Sequence, residues 1–255
     1  MEAAALGLFM VSACAFAVLL GYPGSPLFRA IPMPMVRQAL GGIAMGFTAV
    51  AIISSPWGQR SGAHMNPALT LTFLSLGKIA AWDALFYIAA QFAGGLAGVM
   101  LAHLALGAPL ESRDVHYAVT APGPAGEWAA FWGEFAISFV LVMVVLHVAN
   151  SKRAARYTPW VAGFLVATFI TLEAPLSGMS MNPARTVGSA LPSGDWTSIW
   201  LYFVAPTAAM FAAGRVYLAW RGAHRIFCAK FHHHNHQPCI FRCRYAQFAG
   251  ATGNE

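Results

Sequence analysis

The chain has 255 residues, of which 58% are hydrophobic and only 9% charged, with a formal net charge of +6. Soluble domains run at about 45–50% apolar and about 25% charged, so a water-soluble globule is excluded and a lipid bilayer is the expected solvent. The basic residues collect between and after the apolar stretches, so the positive balance is read as a topology signal and nucleic acid is not an expected partner.

In chain order, apolar stretches poor in charge occupy residues 3–20, 39–55, 84–110, 134–151, 157–172 and 196–214. Roughly 17–25 apolar residues cross a hydrocarbon core as a helix, which predicts six spans. Met1-Glu2 supplies neither a basic leader nor a cleavage site, so the first stretch is expected to be a retained helix. Small residues at Gly41, Gly42 and Gly46, at Gly94, Gly95 and Gly98, and at Ala208, Ala209, Ala212, Ala213 and Gly214 predict close helix contacts. Glu2 and Glu134 each open a half of the chain. Glu134 is expected to face the bundle interior and accept bonds from loop backbone, whereas for Glu2 an interfacial place is equally open.

Between the second and third spans residues 61–70 read SGAHMNPALT, and 116 positions later residues 177–186 read SGMSMNPART, with seven of ten positions identical. The chain is therefore read as an internal duplication. Its units are 1–106 and 128–221, joined by a Pro-, Gly- and charge-rich loop at 107–127 and followed by a tail at 222–255. Three spans per half is an odd number, so the second half enters the membrane inverted. Lys152, Arg153 and Arg156 in the middle link, with Arg221, Arg225, Lys230, Arg242 and Arg244 toward the C-terminus, place both termini in the cytoplasm of a cell (inner) membrane, against Arg29, Arg37 and Arg113.

A short apolar stretch follows each copy, at 69–76 and 186–191, too short to span. Asn is a favoured N-cap and Pro a favoured first helical residue, so Asn66-Pro67-Ala68 and Asn182-Pro183-Ala184 each predict the start of a short helix. Two half-helices entering from opposite faces would meet N-terminus to N-terminus near the midplane. Their dipoles would repel cations, and the two Asn amides could donate to a passing neutral solute. Aligned water carrying a proton is disfavoured at such a point.

These two phrases resemble the signature loops of the aquaporins, the major intrinsic proteins, and the likeness covers residues 1 to about 220. The resemblance implies an all-α membrane protein of six transmembrane helices plus two re-entrant half-helices in an inverted 3+3 repeat. It further implies a pore in each subunit of a homotetramer, and passive flow of water or small neutral solutes. The short loops are similar to those of bacterial members. It carries the midplane pair onto Asn66 and Asn182, and the outer constriction onto Arg185 with Ile170, Met179 and either Met45 or Gly46, Met45 being favoured. Ile170 falls where water-specific members usually have His, which makes the constriction more apolar. Thr186 and Ala190 stand where glycerol-conducting members have an Asp and a base, and Tyr202-Phe203 is an aromatic pair those members lack. Water is the favoured solute, with glycerol, urea, ammonia or hydrogen peroxide as the alternative. His64 is expected at the inner vestibule, either as a pore-lining donor or bonded to loop backbone.

In the tail, Cys228, His232, His233, His234, His236, Cys239 and Cys243 fall within sixteen residues. Two readings stand. A basic segment could lie on anionic lipid through Phe227, Phe231, Ile240 and Phe241. Alternatively Cys228, His232, Cys239 and Cys243 could hold zinc, the one cofactor the chain suggests. A coupled transporter would want a titratable group at the midplane, and besides Glu134 the spans offer only His103 and His147, away from the repeated phrase. A membrane enzyme would need an acid, base or nucleophile pattern that the second half does not present.

Overall fold

The computed structural model describes residues 1–233, 235 and 237–245. His234 and His236 lie outside the described residues. Among the described residues six helices are long and apolar enough to cross a membrane. They are α1 (Glu2–Gly21), α2 (Pro34–Ser54), α4 (Ala81–Leu106), α5 (Glu127–Ala149), α6 (Thr158–Ser177) and α8 (Ile199–Arg221); two short helices, α3 (Pro67–Ser75) and α7 (Pro183–Ser193), follow the repeated phrases. Boundaries depart from the apolar stretches where polar residues still satisfy a helix. α2 starts at Pro34, whose fixed φ suits a first helical residue, and α8 runs on to Arg221, whose cation suits a helix C-terminus.

The packing is duplicated as the sequence is. α1 lies on α4 as α5 lies on α8, α4 packs on α7 as α8 packs on α3, and α2 crosses α6 at the centre. Each pair relates one half to the other by exchange of equivalent elements, the arrangement expected of an inverted repeat. Glycine makes the closest crossings possible. A methyl group at Gly98 would sit 2.3 Å from the Gly7 carbonyl oxygen, and one at Gly46 would sit 2.6 Å from that of Gly163. Without hydrophobic drive between helices in lipid, such backbone contact is what associates them. The outer faces carry Trp82, Phe86, Leu104, Trp160, Phe164, Leu172 and Trp220, all exposed, which is the surface a bilayer requires.

The candidate pore

Each repeated phrase leaves a short turn through left-handed backbone. In the first, Gly62, Ala63 and Met65 have φ of 88°, 55° and 51°; in the second, Gly178, Met179 and Met181 have 79°, 49° and 54°. Non-glycine residues there cost of order 1–3 kcal/mol each, so the surroundings must hold them. Two buried carboxylates do so. Glu134, fully buried, accepts from Ser177 Oγ (2.8 Å) and Ser180 N–H (2.6 Å) on Oε1, and from Met181 N–H (2.7 Å) on Oε2. Glu2 repeats the pattern with Ser61 Oγ (2.6 Å), His64 N–H (3.2 Å) and Met65 N–H (2.7 Å), and adds Gln91 Nε2 (2.8 Å). Glu2 is thus an interior acceptor like Glu134. Tyr87 and Tyr202 complete the symmetry by donating to the Ser61 and Ser177 carbonyls at 2.7 and 2.6 Å.

The half-helices begin as their residues dictate. Asn66 Oδ1 accepts from Ala68 N–H at 2.9 Å, and Asn182 Oδ1 accepts from Ala184 and Arg185 N–H at 3.0 and 3.2 Å, with Pro67 and Pro183 at the first helical positions. Each Nδ2 then crosses to the other copy, Asn66 to the Met181 carbonyl and Asn182 to the Met65 carbonyl, both at 2.6 Å. An amide nitrogen has two donors, so one N–H of each Asn is left for the lumen.

Both asparagines line a cavity of about 560 Å³. The same cavity is lined by Met45, Ile170, Met179 and Arg185, and also by His64 and by Phe231 of the tail. Of the two candidates on α2, Met45 lines the cavity whereas Gly46 lies in the α2–α6 crossing. Gln38 Nε2 donates to the Ile170 and Thr171 carbonyls at 2.9 and 3.0 Å, which leaves the Ile170 side chain as the apolar wall. Arg185 lines the cavity, and its enclosed Nη1 has no hydrogen-bond partner among the described residues. Glu173 is buried on α6 against Gly133 and does not line the cavity.

His64 is 3% exposed and engaged at both ring nitrogens, Nδ1 with Thr70 Oγ1 at 3.1 Å and Nε2 with the carbonyl of Ala229 at 2.9 Å. A carbonyl only accepts, which assigns the ring proton to Nε2. The partner in the second copy is Ser180, bonded to Thr186 at 2.5 Å. The Ala229 contact lies 165 positions along the chain, and nothing in the local sequence announces it. Phe231 and Phe241 turn inward with it, packing on the interior cluster rather than facing lipid.

In the tail the ligand atoms of Cys228, His233, Cys239 and Cys243 lie within 4.8 Å of one another. His233 takes the place that spacing assigned to His232. The reason is the turn at Cys228–Lys230, pinned by Lys230 N–H on Cys228 Sγ (3.4 Å), and the stacking of His233 on Tyr245 at 4.2 Å, which together carry the second imidazole to the sulfurs.

Sequence reasoning missed Ser61, Ser177, Tyr87 and Gln91 as holders of the loops. The serines carried a signal, being identical in both copies; Gln91 and Tyr87 carried none beyond being polar groups in an apolar span.

The fold and this site define a multi-pass membrane protein whose two inverted halves bring capped half-helices head to head around a cavity. The family model of the major intrinsic proteins matches residues 2–217. The chain belongs to that family. It is 35% identical over 208 residues to aquaporin NIP3-1 of Oryza sativa subsp. japonica, an alignment covering 76% of this chain and 63% of the relative. It is 39% identical over 167 residues to aquaporin NIP4-1 of the same plant, covering 64% and 57%. The chain therefore spans about three-fifths of the length of these relatives. Among solved structures, the aquaglyceroporin from Plasmodium falciparum matches with a TM-score of 0.68 at 19% identity, over 85% of this chain and 92% of that one. That likeness concerns the fold.

Proposed function

We propose that the chain is a passive channel for water and small neutral solutes, and that Asn66, Asn182 and Arg185 carry its selectivity. The observation behind this reading is the cavity in which both asparagine amides and the Arg185 guanidinium meet Met45, Ile170 and Met179. Half-helix N-termini concentrate partial positive charge at the asparagine pair, which opposes cations. The two free amide N–H groups and Arg185 offer donors to a neutral solute's oxygen, and break the chain of aligned donors that a migrating proton needs. The relatives are named aquaporins, in keeping with the same reading.

Water is the first solute proposed. Glycerol, urea, ammonia and hydrogen peroxide form the second reading, favoured by one observation: three of the four constriction side chains are apolar, so only Arg185 demands a polar partner there. A coupled transporter is disfavoured, because His103 is held by Tyr117 (3.1 Å) and Glu111 (3.4 Å), and His147 by the Met143 carbonyl (2.7 Å), both away from the asparagine pair. The assembly proposed is a homotetramer in a cell membrane with both termini cytoplasmic. In the tail, Cys228, His233, Cys239 and Cys243 are read as a zinc site. Stopped-flow light scattering on proteoliposomes of chelator-treated protein, first with a sucrose gradient and then with glycerol or urea, tests the channel. Water flux well above that of empty liposomes is expected, and rates equal to empty liposomes for every solute would refute it.

A further inference from the structure

The tail does not lie beside the bundle. Ala229 and Phe231 are buried, Phe231 and His64 both line the cavity, and the Ala229 carbonyl and the Phe241 ring contact His64. The imidazole of His64 is sandwiched between Phe73 (5.1 Å, 21°) and Phe241 (5.4 Å, 7°), and Phe231 packs on Phe73 at 6.3 Å. Phe241 also lies directly over Gly62 of the first repeated phrase. Phe231 and His64 thus face the cavity, with Phe241 stacked on the far side of the imidazole, an aromatic lining of the sort that can exclude water.

The segment is seated by the burial of Ile226, Ala229 and Phe231 in the interior cluster and by the His64 Nε2 bond to the Ala229 carbonyl (2.9 Å). Its backbone also meets the bundle through Arg242 N–H on the Lys78 carbonyl (3.3 Å) and Phe227 N–H on Asn150 Oδ1 (2.8 Å), and itself through Arg244 N–H on the Phe227 carbonyl (2.8 Å). The two plug phenylalanines lie between the ligand candidates: Phe231 between Cys228 and His233, and Phe241 between Cys239 and Cys243. Any ion held by those four groups would fix both rings at once.

The four groups suit zinc. In a tetrahedral site with Zn–S of about 2.3 Å and Zn–N of about 2.0–2.1 Å, two sulfurs stand about 3.8 Å apart and sulfur and nitrogen about 3.6 Å apart. Cys228 Sγ and Cys239 Sγ are 3.4 Å apart, and Cys243 Sγ and His233 Nε2 are 3.8 Å apart. A disulfide would need about 2.05 Å and would leave the third thiol over. Backbone N–H groups two residues on point back at two of the sulfurs, from Lys230 to Cys228 (3.4 Å) and from Tyr245 to Cys243 (3.3 Å). Such outer bonds orient thiolate ligands and offset their charge. Lys230 Nζ ties the intervening loop by donating to Asn235 Oδ1 and the Gln237 carbonyl, both at 3.1 Å.

We propose that Cys228, His233, Cys239 and Cys243 bind one zinc ion, and that the bound ion locks Phe231 and Phe241 over His64 and shuts that mouth of the pore. Loss of the ion releases the segment, because a small metal-held fold keeps little structure without its metal, and the mouth opens. This rests on the channel reading above.

The test uses the full chain with two readouts. Metal content of the purified protein, and the absorption of cobalt substituted for zinc, report the site; proteoliposome water permeability, with zinc or chelator on both sides of the membrane, reports the stopper. Expected are one zinc per chain, a tetrahedral thiolate-bound cobalt spectrum, and permeability that rises roughly tenfold on chelation. The C239S/C243S variant should bind no zinc and conduct in both conditions. F231A should bind zinc and still conduct with zinc present. Zinc bound with equal permeability in both conditions overturns the stopper. No metal and no cobalt spectrum overturns the site. If zinc binds normally yet no protein conducts, F231A and C239S/C243S included, it is the channel reading that fails, and the stopper with it.

Discussion

Glu134 accepts the backbone N–H of Met181 at 2.7 Å, and Glu2, 132 positions earlier, accepts that of Met65 at the same distance. One carboxylate per half thus fastens the strained residue just before each asparagine, and the asparagine side chains can cap and cross only while that residue stays in place.

Replacing Glu134 by Ala removes the acceptor of three buried donors, at a cost of about 1–3 kcal/mol for each left unmet. E134A should lower the thermal midpoint in detergent by several degrees or prevent folding, and E134Q, which keeps one acceptor, should fall between E134A and the parent. Equal midpoints for all three would show that the loops hold themselves.

Arg185 puts a charged donor on the cavity wall together with the apolar Met45, Ile170 and Met179, the constriction proposed above. R185V should leave water flux within about twofold, raise urea or glycerol flux by roughly tenfold, and admit protons, because the guanidinium both fills and repels. Solute uptake and a pH-sensitive dye in the same vesicles measure the three quantities.

Ile170 lines the cavity as an apolar wall. I170H adds a polar, wider ring to the cavity wall, so the ratio of glycerol to water permeability should drop by roughly tenfold while water persists. An unchanged ratio would place the limiting constriction elsewhere.

Asp195 lies outside the spans, and its carboxyl is held below the ordinary value of 3.8, first by the Thr197 hydroxyl, then by the Thr197 N–H (3.0 Å), with His116 Nε2 (3.1 Å) a smaller aid. A depressed folded-state value stabilises above the unfolded value and loses that stability as pH falls through the depressed one. The parent should therefore be slightly more stable than D195N at pH 6 and lose the advantage below about pH 4, as followed by thermal midpoints across pH. The carboxyl is partly exposed, and solvent screening keeps the difference small.

Much of the architecture was legible because it rests on local chemistry. Length and apolarity alone predict six spans, and Asn-Pro-Ala states its own helix start: a side-chain acceptor, then a residue that needs no donor. The helix ends were less legible, since Pro34 and the Arg221 end sit in polar sequence that hydropathy discounts. Within the site, the role of Glu134 could be argued from the cost of a buried acid, but that of Glu2 could not, because an acid ahead of a span is equally at home at an interface. His64 left two partners open. The structure supplies a loop carbonyl, from the tail rather than from its own loop.

The sequence by itself determined the duplication, its inversion, and the two asparagine caps, because an odd number of spans and a helix-start signal need no knowledge of what lies across the bundle. Tertiary structure alone decided that Met45 rather than Gly46 faces the cavity, that His233 rather than His232 joins the three cysteines, and that Phe231 and Phe241 turn in to cover His64. Each of those outcomes turns on how one side chain is directed by partners far away in sequence, and a one-residue difference on a helix or in a turn reverses the direction while leaving composition and spacing almost unchanged.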